Sequence, residues 1–108
     1  MSWTLDTSGT QTAVINTEHS LATSTSNATF VYEVDATNMV AGDVTELRVK
    51  GITLSGGATG LMWKQTLQGP QTGVRVQSPP VASDISITVT LKQIAGTGRS
   101  YPWKLLRI

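Results

Sequence analysis

Cysteine is absent, which excludes a disulfide framework and any thiolate metal site. Histidine occurs once, at His19, and one imidazole cannot supply the several nitrogen or sulfur ligands that zinc requires. Charge is sparse: 14% of the residues are Asp, Glu, Lys or Arg and the formal net charge is +1. The eight Lys and Arg are scattered from Arg48 to Arg107, without the clustering that nucleic-acid binding needs. No apolar run approaches the roughly 18 residues of a membrane span. The opening Met1-Ser2-Trp3-Thr4-Leu5-Asp6 lacks the basic and apolar regions of a secretory signal. Neither nucleic acid nor membrane is therefore expected as a partner, and no cofactor is expected. Helical composition is missing too, since no segment is rich in Ala, Glu or Leu.

What the chain does contain is threonine and serine, 17 and 10 residues, a quarter of the whole. Threonine suits the solvent face of a strand, and hydrophobic alternation recurs along the chain. In residues 85–92, Ile85, Ile87, Val89 and Leu91 alternate with Ser86, Thr88, Thr90 and Lys92, the period-two pattern of a strand with one buried face. Ala95-Gly96-Thr97-Gly98 then supplies a turn, and residues 101–108 read as a second strand. Together they predict a β-hairpin that closes the domain. Residues 28–35 form another strand, with Phe30, Tyr32 and Val34 on one face and Val31, Glu33 and Asp35 on the other. Residues 44–54 change parity at Gly51, where a β-bulge is expected. Residues 61–68 and 74–76 add two more strands, and residues 11–17 a short one centred on Ala13, Val14 and Ile15. Residues 18–27 read as a loop or an edge.

Seven or eight strands with turns every 8–12 residues predict a single all-β domain, residues 11–108, built as an antiparallel β-sandwich of jelly-roll or Ig-like type. Its expected core is Phe30, Tyr32, Val34, Leu47, Val49, Ile52, Leu54, Leu61, Trp63, Leu67, Ile85, Ile87, Val89, Leu91, Trp103 and Leu105. Residues 1–10 form an expected amino-terminal arm whose apolar side chains, Trp3 and Leu5, share a face and lack an obvious home. They are the candidate residues for a subunit or capsid interface, where one aromatic anchor can dominate binding.

No catalytic residues are assigned. No strand-turn-helix elbow surrounds any serine, so His19 reads as an ordinary loop residue. Glu33 and Asp35 share a strand face; paired carboxylates can act on a glycosidic bond, but nothing beside them supports that use over a solvated face. Gly96-Thr97-Gly98-Arg99 looks superficially like a phosphate loop, yet a strand with Pro102 follows where a helix is needed. Asn27-Ala28-Thr29 is a formal glycosylation triplet, and Trp63 and Trp103 are read as inward. Asp6, Glu18, Glu33, Asp35, Asp43 and Glu46 all precede residue 47, and no Lys or Arg does. That asymmetry is compatible with head-to-tail contact between copies, or with chance in a chain of low charge.

Residues 78–84 (SPPVASD), 91–104 (LKQIAGTGRSYPWK), 40–43 (VAGD) and 46–50 (ELRVK) together resemble small virion proteins of tailed bacteriophages. The resemblance covers residues 28–108. It implies a capsid decoration protein on the outer surface of the head, an oligomer that cements neighbouring capsomers. The implied partners are further copies of the chain, as a homotrimer with residues 1–10 in the interface, and the major capsid protein. Two other roles remain open: a receptor- or glycan-binding module of a phage tail or fibre, and a structural part of the tail or connector.

Overall fold

The computed structural model describes residues 2–108, and among them it contains nine strands and no helix. These are β1 (Thr4–Thr12), β2 (Glu18–Ser24), β3 (Ala28–Asp35), β4 (Val44–Gly51), β5 (Gly60–Gln68), β6 (Arg75–Gln77), β7 (Val81–Ser83), β8 (Ile87–Ala95) and β9 (Ser100–Arg107). They form two antiparallel sheets. Sheet A runs β1-β9-β3-β6, with β7 also on β3; sheet B runs β2-β8-β4-β5. β7 pairs with Ala28–Phe30 and β6 with Glu33–Asp35. Because β9 already occupies the other edge of β3, β6 and β7 act as one interrupted strand, broken at Ser78-Pro79-Pro80. The proline ring removes a ladder donor, so the break falls there. Only β4 and β5 are both consecutive and paired; apart from the break between β6 and β7, every other connection passes between sheets. That order is the jelly-roll form of the sandwich.

The closing hairpin expected from residues 85–108 is corrected. β8 lies between β2 and β4, and β9 between β1 and β3, in the opposite sheet. Alternation tells which face of a strand is buried but not which sheet holds it. Residues 96–99 therefore form an arch across the roughly 10 Å between two packed sheets, a span that four residues at up to about 3.5 Å each can cross.

The expected core is present where parity is unbroken. Phe30, Tyr32, Val34, Leu47, Val49, Leu67, Ile87, Val89, Leu91 and Leu105 are buried in one cluster, with Trp63 and Trp103 packed against it. Ala13, Ala36, Met39 and Tyr101 also belong to it. Leu54 and Leu61 do not: they are 73% and 57% exposed. β4 ends at Gly51, leaving Leu54 in the following loop. The bulge is on β5 rather than at Gly51. Val49 pairs with Trp63 but Lys50 with Leu61, so Met62 is the extra residue and Leu61 turns outward beside Lys50. At Gly51 the Met62 thioether fills the space a Cβ would take, so a larger residue there would displace that side chain. Ile52 and Ile85 are half-buried and lie outside the cluster.

Two more expectations change at the amino terminus. Thr4–Thr10 is no separate arm but part of β1, paired along β9 as the edge of sheet A. The segment expected as a strand at residues 11–17 is mostly the turn that follows β1, and β2 is the edge of sheet B.

Candidate functional site

The outer face of sheet A brings the candidate interface residues together with others that alternation had assigned to solvent. Leu5 pairs with Leu106, and Leu106 with Val31. A bulge at Asp6, whose Oδ1 meets Arg107 Nε at 3.1 Å, sets the register that turns Leu5 outward. Trp3 is 44% exposed and Leu5 54%. Trp3 lines a cleft of about 250 Å3 with Val31, Gln77, Ser78, Pro80 and Leu106. Val31 is only 7% exposed yet stands outside the core cluster, so it is covered from the outer side of the sheet.

Beside this apolar row lies Glu33, 7% exposed on the same outer face. Arg75 donates to it from Nε at 3.2 Å and from an Nη at 2.9 Å. Gln77 donates at 2.5 Å, and Lys104 Nζ stands 3.7 Å away. Burial works against ionisation, but these partners outweigh it and hold the carboxyl below its usual range. Asp35 is lowered as well, chiefly by the Thr37 hydroxyl and backbone N–H. A glycosidase pair keeps one carboxylic acid protonated by a raised pKa. Here both carboxyls shift downward, so the geometry offers two carboxylates and no proton donor at neutral pH.

The arch from Gly96 to Arg99 does cradle an anion, and the anion is the protein's own. Asp43, 1% exposed, accepts from Arg99 Nε at 2.9 Å, from the Val40 N–H at 3.0 Å and from the Thr97 N–H at 3.3 Å. Its burial opposes ionisation, and Arg99 with the two amides more than compensates, so its pKa falls. Gly96, at φ 87°, is required twice over, because a Cβ would meet the Asp43 carboxylate. The fully buried Gln93 completes the arch. Its amide nitrogen donates to the Ala95 and Thr97 carbonyls, and its oxygen accepts from Arg99 N–H and from the Tyr101 hydroxyl. The likeness to a phosphate loop thus has a structural cause and leaves no vacant anion site in the arch.

His19 lies on β2. Its Nε2 accepts the Val14 N–H at 3.0 Å and its Nδ1 is 3.2 Å from the Gln11 amide, so it fastens the β1–β2 connection. Trp63 and Trp103 sit on different sheets and pack on the core; Trp103 lies over Gly9. They form no shared stacking platform. Asn27 is exposed in the turn between β2 and β3. Among the described residues no group of His, Cys, Asp or Glu is arranged to hold a metal ion.

The outer face of sheet B is built differently. Glu18 bonds Arg48, Lys50 and Thr90, and Glu46 bonds Arg48 and Lys64. Every ion pair among the described residues joins an acid from the first 46 residues to a base from the rest. The charge asymmetry of the sequence is therefore consumed within the fold, because this topology sets early strands beside late ones. It lends no support to head-to-tail contact.

Residues missed by the sequence reading are Val31, Leu106 and Pro80. Their signal was present: Val31 and Leu106 are apolar side chains at solvent-parity positions beside inward neighbours. Compared with known proteins, the chain matches no protein-family model, no curated protein and no solved structure.

Proposed function

We propose that this chain is a structural virion protein of a tailed bacteriophage, an oligomeric decoration protein that binds the outer surface of the head and cements it. In this reading the protein works as a homotrimer, with the major capsid protein as its second partner and Trp3 and Leu5 in the contact. The observation that carries it is the exposure of Trp3 and Leu5, 44% and 54%, on the edge of a sheet whose core is complete without them. Large apolar side chains grouped on a surface mark contact sites more often than chance. The architecture supports the reading, since jelly rolls recur in viral capsid domains. The sequence resemblance over residues 28–108 points the same way.

A rigid sandwich whose buried charges are neutralised internally suits a cement, which needs surface and stability rather than chemistry. Imaging of intact virions at a resolution that traces the chain tests the proposal. Density for this fold on the outside of the head, between capsomers, is the expected outcome. The same fold found only in the tail or connector would refute it.

A further inference from the structure

The two outer faces of the sandwich are not equivalent. Sheet B presents a lattice of paired charges and threonines across β2, β8 and β4, the composition of a face that meets water, with exposed Leu61 and Met62 only at the start of β5. On sheet A an apolar row crosses the strands: Leu5 on β1, Leu106 on β9 and Pro80 before β7, lying over the buried Val31 on β3. Trp3 stands at the margin of that row. The adjoining row carries Glu33, Lys104, Arg75 and Asp35, two acids and two bases, so its formal charge cancels.

We propose that this outer face of sheet A, centred on Leu5, Leu106, Pro80 and Trp3, docks a second copy of the chain. The inference rests on the reading of the protein as self-associating and names the face that does it.

Three observations choose this occupant. A balanced rim offers no field for an anionic partner such as nucleic acid or an acidic lipid surface, both of which select clustered cations. The cleft beside Trp3, about 250 Å3, falls below the roughly 300–1,000 Å3 of small-molecule sites, and it is open to a protein side chain. The rim also carries charges of both signs, which the acids and bases of a neighbouring copy can meet in the heterologous contact a trimer needs. Arg75 keeps 65% of its side chain exposed although it bonds Glu33, while the Asp35 carboxylate, opposite Arg75 in the register, bonds Thr37 and no other group among the described residues. Each copy thus offers its neighbour an accessible cation and an acid that forms no ion pair among the described residues.

An apolar centre within a mixed polar rim is the anatomy of a protein–protein contact. Four strands at about 4.8 Å spacing and roughly 27 Å length give a face of about 500 Å2, or about 1,000 Å2 for two copies, near the lower bound for a specific interface. The row alone is too small; the charged row has to take part.

The test is sedimentation velocity of the full chain across a concentration series, for the native protein, Leu106→Arg, Trp3→Ala and the sheet-B control Thr88→Arg. Native protein and control are expected to form the same oligomer. Leu106→Arg and Trp3→Ala are expected to weaken it at least tenfold in dissociation constant, with the far-ultraviolet β-sheet signal retained. If Leu106→Arg loses that signal, Trp3→Ala decides, because an exposed side chain ahead of β1 is not needed for folding. An oligomer that neither variant weakens, or that only Thr88→Arg breaks, overturns the assignment of the face and leaves self-association standing. A native chain that stays monomeric at every concentration overturns both.

Discussion

Replacing Asp43 with alanine strips the arch between the two sheets of the group around which it is folded. The Val40 and Thr97 N–H groups lose their acceptor, and a buried donor left unpaired costs about 1–3 kcal/mol. Arg99 loses its counter-ion, but its side chain is 29% exposed, so water replaces part of that interaction. We expect a loss of about 3 kcal/mol in urea or guanidinium unfolding at pH 7. For a domain of about this size that corresponds to a fall of roughly 12–20 °C in Tm. Asp43→Asn keeps one acceptor and loses the charge, so its cost at pH 7 is smaller, about 2 kcal/mol. The pH dependence separates charge from packing. In the folded chain Arg99 and the two amides hold the Asp43 pKa below its ordinary value despite burial. Its ionic stabilisation is therefore fully present above the unfolded value near 3.9 and is lost as pH falls toward the folded one. The deficit of Asp43→Asn against the native chain should shrink between about pH 5 and pH 2.5. A deficit below about 1 kcal/mol for Asp43→Ala at pH 7, or one for Asp43→Asn that is the same at both ends of that range, would refute the reasoning.

Further outcomes follow from other parts of the fold. Gly96→Ala should cost about 2–4 kcal/mol, combining a left-handed backbone with overpacking; in a double-mutant cycle its effect should fall short of additive with Asp43→Ala, and strict additivity would separate the two sites. Tyr32→Phe removes the hydroxyl that donates to the Thr90 carbonyl at 3.1 Å and should cost about 1 kcal/mol in denaturant unfolding. Burial raises the Tyr32 pKa well above the ordinary tyrosine value, so native stability holds below about pH 10 and declines as pH rises past the unfolded value. Tyr32→Phe should show a shallower alkaline decline, and an unchanged slope would count against burial as its cause. Leu54→Ser, at a side chain 73% exposed in a loop, should leave stability within about 0.5 kcal/mol, and a larger loss would mean Leu54 has a packing role.

Much of this fold was legible because strand parity is a local property. The alternations through Phe30-Tyr32-Val34, Leu47-Val49 and Ile87-Val89-Leu91 predicted the buried face correctly, and the sandwich followed from their number and spacing. What alternation cannot carry is the identity of the neighbouring strand. β8 and β9 therefore read as a hairpin, when the arch between them is held by Asp43, a residue some fifty positions earlier. A bulge also defeats parity. Met62 shifts Leu61 outward through one extra residue, and nothing in residues 60–63 distinguishes that from a regular strand. The candidate surface was half visible. Trp3 and Leu5 stood out for want of a core, whereas Val31 and Leu106 were masked by inward neighbours, and only pairing through β9 puts all of them in one row. The separation of acids and bases along the chain was a real signal with a different meaning, since jelly-roll pairing joins the two ends.

Undecorated phage heads mixed with the purified chain provide the most direct measurement of the proposed cementing role. With native protein, bound chain should be recovered on the heads and the temperature at which they rupture should rise. Trp3→Ala and Leu106→Arg should bind less and protect less, while Thr88→Arg should match the native chain. Heads that bind none of the protein and rupture at an unchanged temperature would contradict the claim that this jelly roll is a capsid cement.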